Sequence, residues 1–281
     1  MITKGNFDSM NLAFYDTAAG CYRCYSRYAF EDRVRCIQSC TSRDFLHWTD
    51  PVPNQYPDLA EMEQLYTNAA TPIPGAEHML LSLPMRFADH RETTVDCSQS
   101  GYLSGRADVS YRKGLSDCVL MTSRDGVVWD RKLKDAWITG GLSPHEWTQR
   151  SFITLGGVIV RGEDFYLYTE KNYMWNDDGI FLYKIPRYRF MSLYADDSGG
   201  HILTKPLTMT GDTFHLNFAT SAYGSIRIRV LAEDGTDLCR SPELYGNELS
   251  RPVTFPGLAG KTVRLSISLN AAHLYAMGSP M

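Results

Sequence analysis

Short runs of alternating apolar and polar residues, broken by Gly, Pro and Asp, dominate the chain. NLAFYD, GCYRCYSRY and RVRCIQSC come first; NAATPI, EHMLLSLPMRF and CVLMT follow; RSFITLGGVIV, DFYLYTEKNY and GIFLYKIPRYRF come third. Period-two alternation bounded by turn residues predicts half-buried strands. DTAAG, PIPGAE and VRGED have the composition of tight turns between the first two strands of each segment. Each segment therefore predicts strand, turn, strand, loop, strand. Helical periodicity is scarce, and PDLAEMEQLY at 57–66 is the best candidate for a helical turn.

A short repeat ties the segments together. TSRDFLHWTD at 41–50 and TSRDGVVWDR at 122–131 share T-S-R-D-x-x-x-W, each after an apolar run. Ser and Asp in this spacing bond nearby backbone amides, and the Trp is expected to fold back on the sheet. Trp48 and Trp129 should then occupy equivalent, largely buried positions. Antiparallel units repeating in this way predict propeller blades, about three of them in residues 1–197. The polar stretch 88–114 reads as a long loop over one end of the blades. DDSGG then breaks the pattern. FHLNFAT, GSIRIRVLAEDG and KTVRLSISLN alternate at closer spacing and predict a compact β-sandwich over 198–281. The fold class expected is all-β.

Composition narrows the function. The net charge of −4 provides no basic footprint for nucleic acid, and no apolar run is long enough to span a bilayer. MITKGNFDSMN has no apolar signal core, so the chain as it stands is expected in the cytoplasm. Tyr and Trp are abundant, 17 and 5, which suits strands and also sugar-binding surfaces. Cys21 and Cys24 form a CxxC, but on a strand i and i+3 point to opposite faces. No second CxxC or zinc-spaced His pair accompanies it, so no metal and no cofactor is expected. Nucleotide-binding glycine loops and a GxSxG nucleophile are missing from the sequence.

FDSMNLAFYD, SRDFLHWT, LYTNAATPIPGAEHMLLSLPMRF, SDCVLMTSRDGVVWDR and GGHILTKPLTMTGDTFHLNFATSAYGSIRIRV resemble a bacterial family of glycosidase-like proteins. That family is related to the five-bladed propellers of invertases and arabinanases, with a C-terminal β-sandwich. The resemblance implies a carbohydrate-active protein, with an oligosaccharide or glycoside as partner. It also implies one or two blades ahead of FDSMN, so the chain looks truncated. Either its start lies further upstream, or a second copy completes the ring, or the product is an open remnant.

Glycoside hydrolysis in most families uses two carboxylates flanking the scissile bond. The resemblance puts an essential Asp near the start of an innermost strand, which here is Asp8 in FDSMN. Glu170 ends the strand FYLYTEKNY, on the same face as Tyr166 and Tyr168, where a raised pKa would suit a general acid. Asp117, which matches the family's SD step, is a candidate orienting partner. Glu63, before LYTN, is a weaker candidate, and Asp44 and Asp125 belong to the repeated turn. Arg27, Arg86 and Arg150 close or open strands at comparable places and have the fork geometry to clamp a hydroxylated or anionic substrate. Asn11 and Asn68 are candidates for sugar hydroxyls. Asp8 and Glu170 are expected in one pocket, with Arg86 and Arg150 on its rim. Each residue also has a structural reading: turn formation for the acids and Asn, ion pairing for the Arg. A binding protein without turnover, or an inactive fragment, is the alternative to a hydrolase.

Overall fold

The computed structural model describes residues 2–3, 7–8, 10–29, 34–59, 61–100 and 113–278, without the Gln99 side chain. It is all-β. Among the described residues the only helical elements are two short 3-10 turns, Cys97–Gln99 and Pro144–Trp147. Of the helical turn expected at 57–66, Pro57–Asp58 form a single turn, with Leu59 N–H donating to the Tyr56 carbonyl at 3.1 Å, and Leu65 bridges Arg86; Ala60 lies outside the described residues. No described helix is long and apolar enough to cross a membrane.

The chain divides into two compact units, 1–159 with 166–183, and 160–165 with 184–281. In the first, β1 (Leu12–Asp16), β2 (Cys21–Ala29), β3 (Arg35–Ser42) and β4 (Val52–Pro53) form an antiparallel sheet in chain order. This is the four-stranded blade that the alternation predicts. Cys24 lies directly opposite Cys40 on β2 and β3, and all seven cysteines are free thiols.

The second segment departs from the expected pattern. EHMLLSLPMRF does not make one strand. β5 (Ala70–Ile73) and β6 (Ala76–Ser82) form a hairpin, and the chain then breaks at Leu83–Pro84 before β7 (Met85–Glu92). Proline has no N–H to donate to a ladder, so a strand divides readily there. β7 pairs with β8 (Lys113–Cys118), and β6 with β9 (Met121–Ser123). The stretch expected as a loop over 88–114 is therefore partly a β-ribbon, with Glu92 opposite Lys113. Residues 101–112 of that stretch lie outside the described residues. A third sheet holds β10 (Ile153–Thr154), β11 (Ile159–Arg161), β12 (Asp164–Lys171) and β13 (Gly179–Pro186), the first, second and fourth all pairing β12.

The two TSRD turns share one hydrogen-bond pattern. Asp44 Oδ1 accepts from the amides of Leu46 and His47 at 2.9 and 2.8 Å. Asp125 Oδ1 accepts from those of Val127 and Val128, both at 2.8 Å. Their packing differs. Trp129 is wholly buried, edge-on to Tyr25 at 5.8 Å, in a core with Ile37, Leu65, Leu80 and Met121. Trp48 is only half-buried and packs on Phe45 of its own turn, which corrects the expectation of two equivalent buried rings. Gly126 explains part of the tight second turn. It sits at φ +79°, where a Cβ would lie 2.3 Å from the Arg23 guanidinium, and its carbonyl accepts from Tyr25 at 2.8 Å.

The second unit is built on two long antiparallel strands, β17 (Thr213–Leu231) and β20 (Thr262–Gly278). β14 (Leu193–Ala195), β15 (Gly200–Leu203) and β16 (Leu207–Thr208) pair along β20. β18 (Asp237–Arg240) and β19 (Asn247–Thr254) pair along β17. All seven join in one sheet, curled about its own core of Leu216, Phe218, Ile226, Ile228, Val230, Leu265 and Ile267 among others. A register shift between Thr220 and Ser225 bends β17. Gly224 permits it, since a Cβ there would meet the Ala271 carbonyl at 2.4 Å.

Candidate functional site

All the candidate site residues belong to the first unit, and they fall into separate clusters. The first surrounds Tyr66. This half-buried ring follows Leu65, whose burial in the core fixes the strand-like segment and turns its neighbour outward. Three arginines converge on the ring. The guanidinium carbons of Arg27, Arg35 and Arg150 lie 4.3, 5.1 and 5.8 Å from its centroid. That is the range in which a cation is attracted by the ring's quadrupole. Arg27 comes from β2 and is buried; it ion-pairs with Asp8, whose side chain is 61% exposed. Arg35 opens β3, donates to Gln64 Oε1 at 2.7 Å, and lies 5.5 Å from the Phe87 ring. Arg150 sits at φ +60°, a conformation unusual for a residue with a side chain, and its guanidinium also approaches Tyr173 at 5.5 Å.

Tyr173 follows Glu170 by three residues, past the end of β12. Glu170 pairs with Ile153 of β10 in the ladder and lies on the face of Tyr166 and Tyr168, opposite buried Phe165, Leu167 and Thr169. Burial pushes its carboxyl above the ordinary value, and the nearby Asp178 charge adds to the rise. Lys171, its chain neighbour, does not neutralise it, because Lys171 ion-pairs with Glu146. Asp178 is likewise pushed up, first by burial.

The second cluster is a closed ion network. Arg86 donates to both oxygens of Asp117, at 2.9 and 2.6 Å, and to Glu63 Oε1 at 2.7 Å. Glu63 Oε2 accepts from Arg131, a wholly buried side chain, at 2.6 Å. Burial works to raise the Glu63 carboxyl, but the bonds from Arg131 and Arg86 outweigh it and hold it below its ordinary value. Asp117 chiefly, with Glu63, holds Arg86 firmly charged. The Arg86 guanidinium, expected on a pocket rim with Arg150, is engaged by these carboxylates and the Lys134 carbonyl. A groove of about 570 Å³ runs beside it, lined by Met62, Phe87, His90, Asp117 and the exposed Trp147 among others.

The two asparagines make local bonds. Asn68 is buried; its amide donates to the Met10 carbonyl, and its Oδ1 accepts from Ala70 at 3.3 Å. Asn11 donates to the Phe7 carbonyl at 3.1 Å. Both tie down the segment that carries Asp8, whose neighbour Ser9 lies outside the described residues. Among the described residues no group of three or more His, Cys, Asp or Glu side chains is placed to hold a metal ion.

Sequence reasoning brought forward Arg27, Arg150, Asp8 and Glu170 but missed Tyr66, Arg35, Tyr173 and Asp178. Tyr66 lies within LYTN, two residues before Asn68. The signal was the aromatic in a motif otherwise read for its polar residue.

No protein-family model and no curated protein matches the chain. Among solved structures it is similar to an N-acetylgalactosamine deacetylase from F. plautii in complex with blood group B trisaccharide. The identity is 11% over 96% of this chain and 52% of that one, at a TM-score of 0.38. A GH32 beta-fructofuranosidase from Bombyx mori matches at 8% identity, over 98% of this chain and 90% of that one, with a TM-score of 0.41. A glycoside hydrolase family 43 arabinoxylan arabinofuranohydrolase from Bacillus subtilis matches at 10% identity, over 98% and 54%, with a TM-score of 0.27. The chain thus spans about half the length of the first and the third.

Proposed function

We propose that the protein is carbohydrate-active, binding its ligand on the Tyr66 face and hydrolysing a glycoside through Asp8 and Glu170. The observation that carries this reading is the contrast between the two carboxyl groups. Glu170 is pushed up by burial and by Asp178, which suits a proton donor to a leaving group. Asp8 is exposed and held by the buried Arg27, which suits an ionised partner. A chain of contacts from Arg27 through Tyr66 and Arg150 to Tyr173 links the two neighbourhoods. Asn11 and Asn68 brace the Asp8 segment, and Asp117 serves Arg86 rather than substrate.

A panel of aryl glycosides tests this reading. Wild-type protein should release aglycone from at least one, with the rate falling as pH rises through the raised Glu170 pKa. Glu170→Gln should lower kcat by roughly 10²–10⁴-fold, as for loss of a general acid, and remove that limb of the profile. An active Asp8→Asn/Glu170→Gln double variant overturns the assignment. Binding without turnover is the second reading. The Asp8–Arg27 ion pair favours it, because a carboxylate committed to a guanidinium is a poorer base or nucleophile. Saccharide binding by a wild-type protein that turns over no substrate would select it.

A further inference from the structure

The Tyr66 face also carries a signature of charge. Three guanidiniums approach one ring, in a chain whose net charge is −4. The cation–π contacts and the Arg27–Asp8 ion pair help to hold them there. Elsewhere in this unit arginines meet carboxylates directly. Arg23 has Asp16 at 3.0 Å, Arg131 has Glu63 and Arg86 has Asp117. Arg35 is different. Among the described residues its side-chain hydrogen bond goes to the neutral amide of Gln64, and its guanidinium lies against the rings of Tyr66 and Phe87. Arg35, Tyr66, Arg150 and Tyr173 are each half-buried, so a ligand can reach them while part of their hydration is already lost.

We propose that the ligand is an acidic saccharide whose anionic group, a uronate carboxylate or a sulfate ester, is held by Arg35 with Arg27 and Arg150 around Tyr66. This rests on the reading that the Tyr66 face is the ligand site, and adds the ligand's charge. The guanidinium fork matches two oxygens of either group, and a planar fork loses little freedom when it binds them.

The test is binding of the full chain to an oligosaccharide array with neutral, uronate-containing and sulfated members, and with the uronates also present as methyl esters. Hits are then titrated by calorimetry. The expected hits are acidic. Methyl esterification should weaken a uronate hit at least 10-fold, and raising NaCl from about 50 to 500 mM should weaken acidic hits alone. Arg35→Gln should lose at least 10-fold in affinity for acidic hits. Arg35→Lys, which keeps the charge and loses the fork, should fall between. Circular dichroism and the thermal midpoint verify that both variants are folded. Uronate and sulfate members bound in different degree identify the source of the charge. Equal binding of neutral and acidic members, or of acid and ester, overturns the charge assignment and leaves the carbohydrate reading standing. An array with no member bound overturns both.

Discussion

Two arginine clusters lie in the same unit and differ in what surrounds the guanidiniums. Around Glu63, Arg86 and Arg131 have their donors taken up by carboxylates and carbonyls, and Arg131 is fully buried. Around Tyr66, the arginines meet rings and a neutral amide as well as the exposed carboxylate of Asp8. The first arrangement fixes structure. A buried pair that loses one member leaves an uncompensated charge, whereas a matched pair adds little net stability. In the second, Arg35 and Arg150 are only half-buried. Residue type is the same in both, so the partners set the two clusters apart.

The largest expected effect lies in the structural cluster. Arg131→Met should destabilise the protein by about 3–5 kcal/mol, because half-buried Glu63 is left with Arg86 alone and the Leu120 and Leu133 carbonyls lose their buried donor. Urea unfolding measures it, and a loss below about 1 kcal/mol would erase the distinction between the clusters. The next effect is acid sensitivity. Glu63 is depressed in the folded state, so its contribution is present at neutral pH and is lost as pH falls below the ordinary carboxylate value and through the folded one. Stability measured between about pH 5 and pH 2 should fall less in Glu63→Gln than in wild type, starting from a lower plateau. The smallest effect belongs to the Tyr66 cluster. Arg35→Gln should change unfolding free energy by under about 1 kcal/mol, as for a half-exposed side chain with one neutral hydrogen bond. A loss as large as that of Arg131→Met would make Arg35 structural.

The sequence carried the blade pattern because alternation and turn chemistry are local. The TSRD turns show where local reasoning stops. Asp44 and Asp125 make the same two amide bonds, as their shared motif requires. Trp129 is buried and Trp48 is only half-buried: β2 sends Tyr25 against Trp129 and Arg23 against Gly126 of the second turn, whereas its Tyr22 meets Phe45 of the first. Pro84 similarly split a run that alternation alone reads as continuous. In the site, Arg27 and Arg150 were legible as residues at strand ends. Their shared target was not, since Tyr66 lies 39 residues from Arg27 in the chain. The fate of Arg86 depended on Glu63 and Arg131, a tertiary network that spacing cannot reveal.

A crystal structure of the protein with an oligosaccharide that raises its thermal midpoint distinguishes binding at Tyr66 from binding in the groove beside Arg86 and Trp147. The sugar is expected against Tyr66 and Tyr173, with Arg35 and Arg150 within hydrogen-bond distance. A sugar seated in the groove of Met62, Phe87 and Trp147, with the Tyr66 face unliganded, would contradict that placement.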